Sequence, residues 1–438
     1  MPGYSLQSRV AVYPFDRRAD GDTATIGDPD REVYLVFARE GLEILDWLAA
    51  GRTIGESARE YEQRHGQQID VLDFVAALEA EGFVAAAADE LPQRPLPGRR
   101  SLVDFSWLSP ATARLFVSAP VLALAGAIIG MGACLVITQP SLIPASTSLV
   151  YHDHFAAFTW ITVFFTLLGV LLHELGHVVA ARAVGVPAKL CAGNQMYVLV
   201  AQTSMNGMWL VPKRKRYLAF VFGTVIDSVT AAVLIGLRWA DGNGWIHLLP
   251  SVAALTAGVL VTYYTRIVWQ LFFFLRTDGY YVISTLFDCR SLLSDTEDYL
   301  WNLSAKVRRS RRLVDQSAIP ARELRVIRRY SIVWILGRIV SLSAFLFVGV
   351  PVLWAYLYQV TLLIIGQPTR FSSLDFVTIF VISLLFDFTG LVMWVRHLYR
   401  AALRRRRLPT VPTVPTVPTA PAVPAERPAA LTDTADAV

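Results

Sequence analysis

FAAFTWITVFFTLLGVLLHELGHVVA, residues 155–180, opens with eighteen uncharged, mostly apolar residues from Phe155 to Leu172 and then sets His173, Glu174 and His177 close together. Eighteen residues at ~1.5 Å each cover roughly 27 Å, close to the thickness of a bilayer's hydrocarbon core. The stretch therefore predicts a membrane-spanning helix with ionisable groups at one end. His173 and His177 are four apart, so both imidazoles leave one helix face a turn apart, with Glu174 beside them. This is H-E-x-x-H, in which two neutral imidazoles bind zinc and the carboxylate takes a proton from the attacking water. The plain alternative is a pair of histidines bonded to neighbouring carbonyls. Membrane depth weighs against it, because ionisable groups there are costly and generally functional.

The rest of the chain agrees with a membrane protein. Its 438 residues are 54% hydrophobic with a mean hydropathy of +0.45, which suits a polytopic α-helical membrane protein with soluble additions. Apolar runs at about 115–138, 155–183, 217–238, 246–287, 331–358 and 374–395 predict six spans. The fourth is too long for one straight span of ~20 residues, so it must be tilted, broken or two pieces. The loops at 139–154 and 239–245 hold no Lys or Arg. KRKR (213–216), KVRRSRR (306–312), RVIRR (325–329) and RRRR (404–407) all fall on the other side, with Arg370 the exception in an outer loop. By the positive-inside rule both termini and the basic loops face the cytoplasm across the cell membrane.

The soluble parts differ in charge. Residues 1–90 contain eight Arg, no Lys and eighteen acidic residues, a balance of −10; the whole chain is +5, so the remainder carries +15. The first twenty residues have no apolar core of a signal peptide. Residues 8–38 alternate in short runs broken at DRRADGD and GDPD, predicting two or three strands. Three short helices follow: one through Leu42, Ile44, Leu45 and Leu48, closed by Gly51; one capped by Thr53 with Glu56; one capped by Asp70, running through Val71, Phe74, Val75 and Leu78 and closed by Gly82. Residues 1–90 thus form an α+β, winged-helix-like domain, and 91–112 a linker containing LPQRPLPGRR. A membrane core spans 113–300. Residues 301–400 hold a basic cytoplasmic loop and two further spans, where Arg338 and Asp387 are expected to pair across helices. The Thr-Val-Pro repeats make 401–438 a disordered tail. Cys134, Cys191 and Cys289 are too far apart for a disulfide framework or a cysteine metal site.

Two histidines leave zinc short of a third protein ligand. His152, His154 and His247 fall on the outer side, and His397 sits among surface arginines. Asp278, in FFFLRTDGYYVIS, is the better candidate: an acid in an apolar run at the cytoplasmic end of the fourth region, level with His173. HELGH followed by an acid–glycine pair on a later helix resembles the site-2 protease family of intramembrane zinc metalloproteases, over roughly residues 110–290. The resemblance implies a Zn2+ cofactor, Asp278 as third ligand, Gly279 as its motif partner and Glu174 as the catalytic base. Family members usually carry an asparagine eight residues before the aspartate and a proline three after the asparagine; Gln270 and Phe273 stand there. The Gly-Pro-x-x-Asn of the preceding helix corresponds to Gly223, Thr224 and Asp227. Substrate-positioning roles for Gln270 and Asp227 follow by the same resemblance, with a structural ion pair between Asp227 and Arg266 as the alternative. The family's small sheet falls at 187–205, where MYVLVA (196–201), including Val198, would offer an edge to an extended substrate.

A winged-helix-like domain suggests nucleic acid, but a −10 balance lacks the basic face that phosphate contact requires. YLVFAREGLEILDWLAAGRTIGESAREYEQRHG followed by DVLDFVAALEAEGFV resembles PqqD-like peptide-recognition domains, which bind the leader of a ribosomally made, post-translationally modified peptide. The alternative is a small dimerisation or regulatory domain. Together these resemblances imply a zinc endopeptidase that matures a modified precursor or removes its leader peptide, in the manner of hydrophobic-peptide pathways such as daptides. Two other readings remain: a regulated protease of membrane-bound signalling proteins, and a non-catalytic peptide exporter or immunity protein.

Overall fold

The computed structural model describes residues 4–406, apart from 22, 29–30, 32, 88–102, 150–153, 196–197, 290, 309–312, 315, 317–318, 345, 348–349 and 368–371. Residues 91–102 of the expected linker, Met196 and Tyr197 of the expected edge, His152, Arg370 and the tail from Arg407 lie outside the described residues. So do the side chains of Val198, Asp387 and His397.

The N-terminal region contains strands β1 (Val10–Val12), β2 (Asp16–Asp20), β3 (Thr23–Asp28) and β4 (Val33–Ala38), helices α1 (Gly41–Ala49), α2 (Ile54–His65) and α3 (Val71–Ala80), and strand β5 (Val84–Ala86). β2, β3 and β4 form an antiparallel sheet in that order, while β1 pairs with β5. The expected break at DRRAD is instead β2, paired from Asp16↔Gly27 to Asp20↔Thr23. An edge strand tolerates charge because its side chains reach water; Arg17 reaches out to Asp46 at 2.6 Å. The helix ends follow the local chemistry. Thr53 and Glu56 form a reciprocal capping box and Asp70 caps α3, while Gly51, Gly66 and Gly82 take positive φ, which costs a residue without Cβ little. Ile26, Ile44, Leu45, Leu48, Ile54, Val75, Leu78 and Phe83 form the core.

The remainder is mostly helical. β6 (Val103–Asp104) precedes α4 (Pro110–Phe116), α5 (Ala119–Thr138) and α6 (Phe155–Ala183). A hairpin of β7 (Lys189–Gln195) and β8 (Val198–Ser204) leads through a 3-10 turn, Asn206–Leu210, into α7 (Lys213–Gly242). Then come α8 (Pro250–Trp269), α9 (Asp278–Phe287), α10 (Leu292–Val307), α11 (Ala321–Ala344), α12 (Val350–Ile364), α13 (Ser373–Ile382), a π-helical turn at Ser383–Phe388, and α14 (Thr389–Arg406). Among the described residues four helical stretches are long and apolar enough to cross a membrane: Pro110–Thr138, α6, α7 and α8. The fourth apolar region is broken rather than tilted, with eight non-helical residues between α8 and α9. The chain from 331 to 395 is divided among α11, α12, α13, the π turn and α14.

Close packing concentrates around the second half of α6. Phe164 and Leu167 in its first half are exposed, while Gly176, His177, Val178, Ala180 and Ala181 in its second half are buried. A Cβ on Gly176 would lie 3.2 Å from the Gly223 Cα and 2.7 Å from Ile226. Two facing glycines therefore let the α6 and α7 backbones approach, as small residues do between membrane helices. β6 joins β7, giving the sheet order β6-β7-β8, so residues 103–104 of the expected linker are instead built into the hairpin's sheet, and α4 begins at Pro110. β2 and β3 lie against the Asn206–Leu210 turn, where Arg18 donates to the Val211 carbonyl.

Candidate metal centre

Helices α6, α7 and α9 meet at the C-terminal half of α6. His173 and His177 come from α6, both under 5% exposed, and Asp278 is the first residue of α9. Each imidazole is anchored through Nδ1. His177 Nδ1 lies 2.8 Å from the Ala219 carbonyl oxygen, which only accepts, so Nδ1 carries the proton. His173 Nδ1 donates likewise to Asp227 Oδ2 at 2.8 Å. Both Nε2 lone pairs are thereby left facing one another, 3.1 Å apart. The Asp278 carboxylate spans them, with Oδ1 3.1 Å from His177 Nε2 and Oδ2 3.4 Å from His173 Nε2.

These separations fit a tetrahedral cation. Ligand atoms ~2.0–2.1 Å from a common centre lie roughly 3.3 Å from each other. Two lone pairs and a carboxylate so close together otherwise repel. The space before them is kept open by Gly223, where a Cβ would come 2.5 Å from His177 Nε2 and 2.8 Å from His173 Nε2. Charge balance points the same way. With neutral imidazoles, the carboxylates of Glu174, Asp227 and Asp278 set against the Arg266 guanidinium leave two negative charges in a buried, largely apolar setting, which a divalent cation neutralises.

The surrounding shell holds each ligand. Asp227 is fully buried and takes two hydrogen bonds from Arg266, from Nε at 2.8 Å and Nη2 at 2.7 Å. It therefore joins the structural pair considered from sequence to a direct contact with a candidate ligand. Gln270 accepts from the Asp278 amide at 3.1 Å and Thr224 donates to Asp278 Oδ2 at 3.0 Å. Thr277 caps α9 and donates to the Gln270 carbonyl at 3.1 Å. Gly279 follows because a Cβ there would overlap the same carbonyl oxygen. The loop before Asp278 is braced by α11: Tyr330 donates to the Phe273 carbonyl and the Phe274 ring packs on Gly337. Glu174 is buried, and Thr203 of β8 donates to its Oε2 at 2.7 Å.

The structure thus gathers His173, His177, Asp278, Asp227 and Gln270, with Glu174 alongside. Val198 is not among them: it pairs with Gln195 at the hairpin tip, ~17 Å along the strand from Thr203. Thr203, Tyr330 and the Ala219 carbonyl were missed by sequence reading and carry no local signal. Thr224 was named there only as standing in the place of a proline, and its bond to Asp278 was not foreseen. Arg338 reaches Glu297 at 3.4 Å and lies over the Trp334 ring. Comparison with protein-family models, curated proteins and solved structures gave no match, so the site is read from its own geometry.

Proposed function

We propose that this chain is an intramembrane zinc endopeptidase of the site-2 protease type, with six spans and both termini in the cytoplasm. The observation that carries the reading is the convergence of two Nδ1-anchored imidazoles and the Asp278 carboxylate beside a buried glutamate. His173, His177 and Asp278 would hold zinc. Bound there, the metal supplies Lewis acidity, easing ionisation of water and polarising a peptide carbonyl. Glu174 takes the proton as the water oxygen attacks the carbonyl carbon, and returns it to the leaving nitrogen as the peptide bond breaks. Asp227 holds the His173 ring with Nε2 inward, and Gln270 and Thr224 hold Asp278, so the ligands stay in place without rearrangement. Gln270 and Asp227 thus act through the ligands, while a strand containing Val198 offers the edge along which an extended substrate lies.

The substrate we propose is the precursor of a ribosomally synthesised, modified peptide, whose leader is held by residues 1–90. Support comes from the acidic, peptide-recognition-like pattern of that region and from its contact with the turn leading out of β8. A leader bound there would hold the scissile segment at raised local concentration. The test is to incubate the purified chain, Glu174→Ala and His173→Ala with a candidate precursor and to read product masses and bound zinc. One zinc per chain, lost in His173→Ala and kept without cleavage in Glu174→Ala, is expected. A metal-free chain with full biological function would refute the enzyme reading; cleavage of membrane signalling proteins with no leader binding would favour the regulatory protease.

A further inference from the structure

We propose that Thr203 is a positioning residue for Glu174, tying the place of the base to the β-hairpin; the inference rests on the peptidase reading. The Thr203 hydroxyl lies 2.7 Å from Glu174 Oε2 and 3.1 Å from the Glu174 backbone carbonyl oxygen. It has one proton for two acceptors. An ionised carboxylate is the stronger acceptor and here the nearer, so the proton goes to Oε2. Without it, a carboxylate in an 8% exposed residue loses a partner that water does not readily replace.

The donor is itself rigid. Threonine's branched Cβ restricts its rotamer, so the direction of the hydroxyl follows the strand backbone. That backbone is fixed by the pairing of Thr203 with Leu190, and Leu190 pairs in turn with Val103 of β6. The carboxylate of Glu174 is therefore aimed not by α6 alone but by a three-stranded sheet whose first strand is β6. A glutamate has three side-chain torsions, and a displacement of ~1 Å at a reacting group lowers a rate by roughly 100-fold. A single hydroxyl in this place suppresses that freedom while touching none of the three proposed metal ligands.

The test uses the full chain in detergent, as wild type, Thr203→Ser, Thr203→Val and Glu174→Met, with Thr203→Ala in reserve should the valine fail to fold. kcat and KM are measured on a precursor that wild type cleaves, zinc affinity by chelator competition, and melting on metal-depleted protein. Thr203→Val is expected to lower kcat by roughly 10–100-fold with KM and zinc affinity unchanged, and Thr203→Ser to restore kcat. In metal-depleted protein the losses in Tm from Thr203→Val and Glu174→Met are expected to be non-additive, since each removes the same hydroxyl–carboxylate contact. Wild-type kcat in Thr203→Val, or Tm losses that simply add, overturns the inference while leaving the peptidase reading intact. Absence of zinc-dependent cleavage in wild type overturns the peptidase reading, and with it any catalytic sense for Thr203; the melting cycle then still reports whether the contact exists.

Discussion

Replacing Asp227 by asparagine tests the ligand shell most directly. The carboxylate accepts three hydrogen bonds, one from His173 Nδ1 and two from Arg266, and its side chain is fully buried. Asparagine keeps the shape but exchanges one oxygen for an NH2 group, so a donor now faces a donor, either the imidazole N–H or the guanidinium. Two effects follow. Arg266, with a side chain 12% exposed, loses its counter-ion, and breaking a buried pair from one side costs about 3–5 kcal/mol of stability. Separately, His173 loses the anionic partner that holds its ring and raises its basicity, and loss of such a partner weakens metal binding ~10–100-fold, or about 1.4–2.7 kcal/mol. Asp227→Asn alone mixes the two, so the informative comparison adds Arg266→Met. The double variant removes the orphaned charge and is expected to melt near wild type while its zinc Kd, from chelator competition, stays raised at least tenfold. A double variant with wild-type melting and wild-type zinc Kd would refute the role assigned to Asp227.

Other outcomes follow from the same geometry. Gly223→Ala puts a methyl against both Nε2 atoms, so the anchored imidazoles must shift; zinc binding should fall tenfold or more, at ~1.4 kcal/mol per decade, and the metal-depleted protein should melt lower as well. Burial, then Glu323 and Asp298, push the Asp295 carboxyl up from 3.8 to about 6. The folded state therefore holds a proton that the unfolded chain releases, and stability falls as pH rises from about 4 to about 6. Asp295→Asn should remove that slope in melting curves, raising Tm above wild type more at neutral pH than in acid. Thr53→Ala removes the α2 capping box and should cost about 1 kcal/mol, read as a lower melting temperature without change in zinc affinity. Val198→Pro removes a donor at the start of β8; cleavage should be lost with zinc retained, and unchanged cleavage would exclude this strand as the substrate edge.

What was legible in the sequence is what short-range geometry dictates. The α6 helix, the shared face of His173 and His177, and the caps at Thr53 and Asp70 depend on residues three or four apart, so a local pattern specifies them. Apolar length likewise revealed helices suited to a bilayer, and an acid in an apolar run singled out Asp278. Local charge misled at DRRAD, because pairing with β3 outweighs the turn-like composition of a solvated edge. Tertiary structure alone decided that Asp227 meets both His173 and Arg266, that Ala219 orients His177, that Gly223 leaves room before the imidazoles, and that a threonine from the hairpin reaches Glu174. Each of those contacts joins residues 29 to 54 positions apart in the chain. No sequence period encodes such meetings; they exist because facing glycines let α6 and α7 close to contact and bring the shell around the ligands.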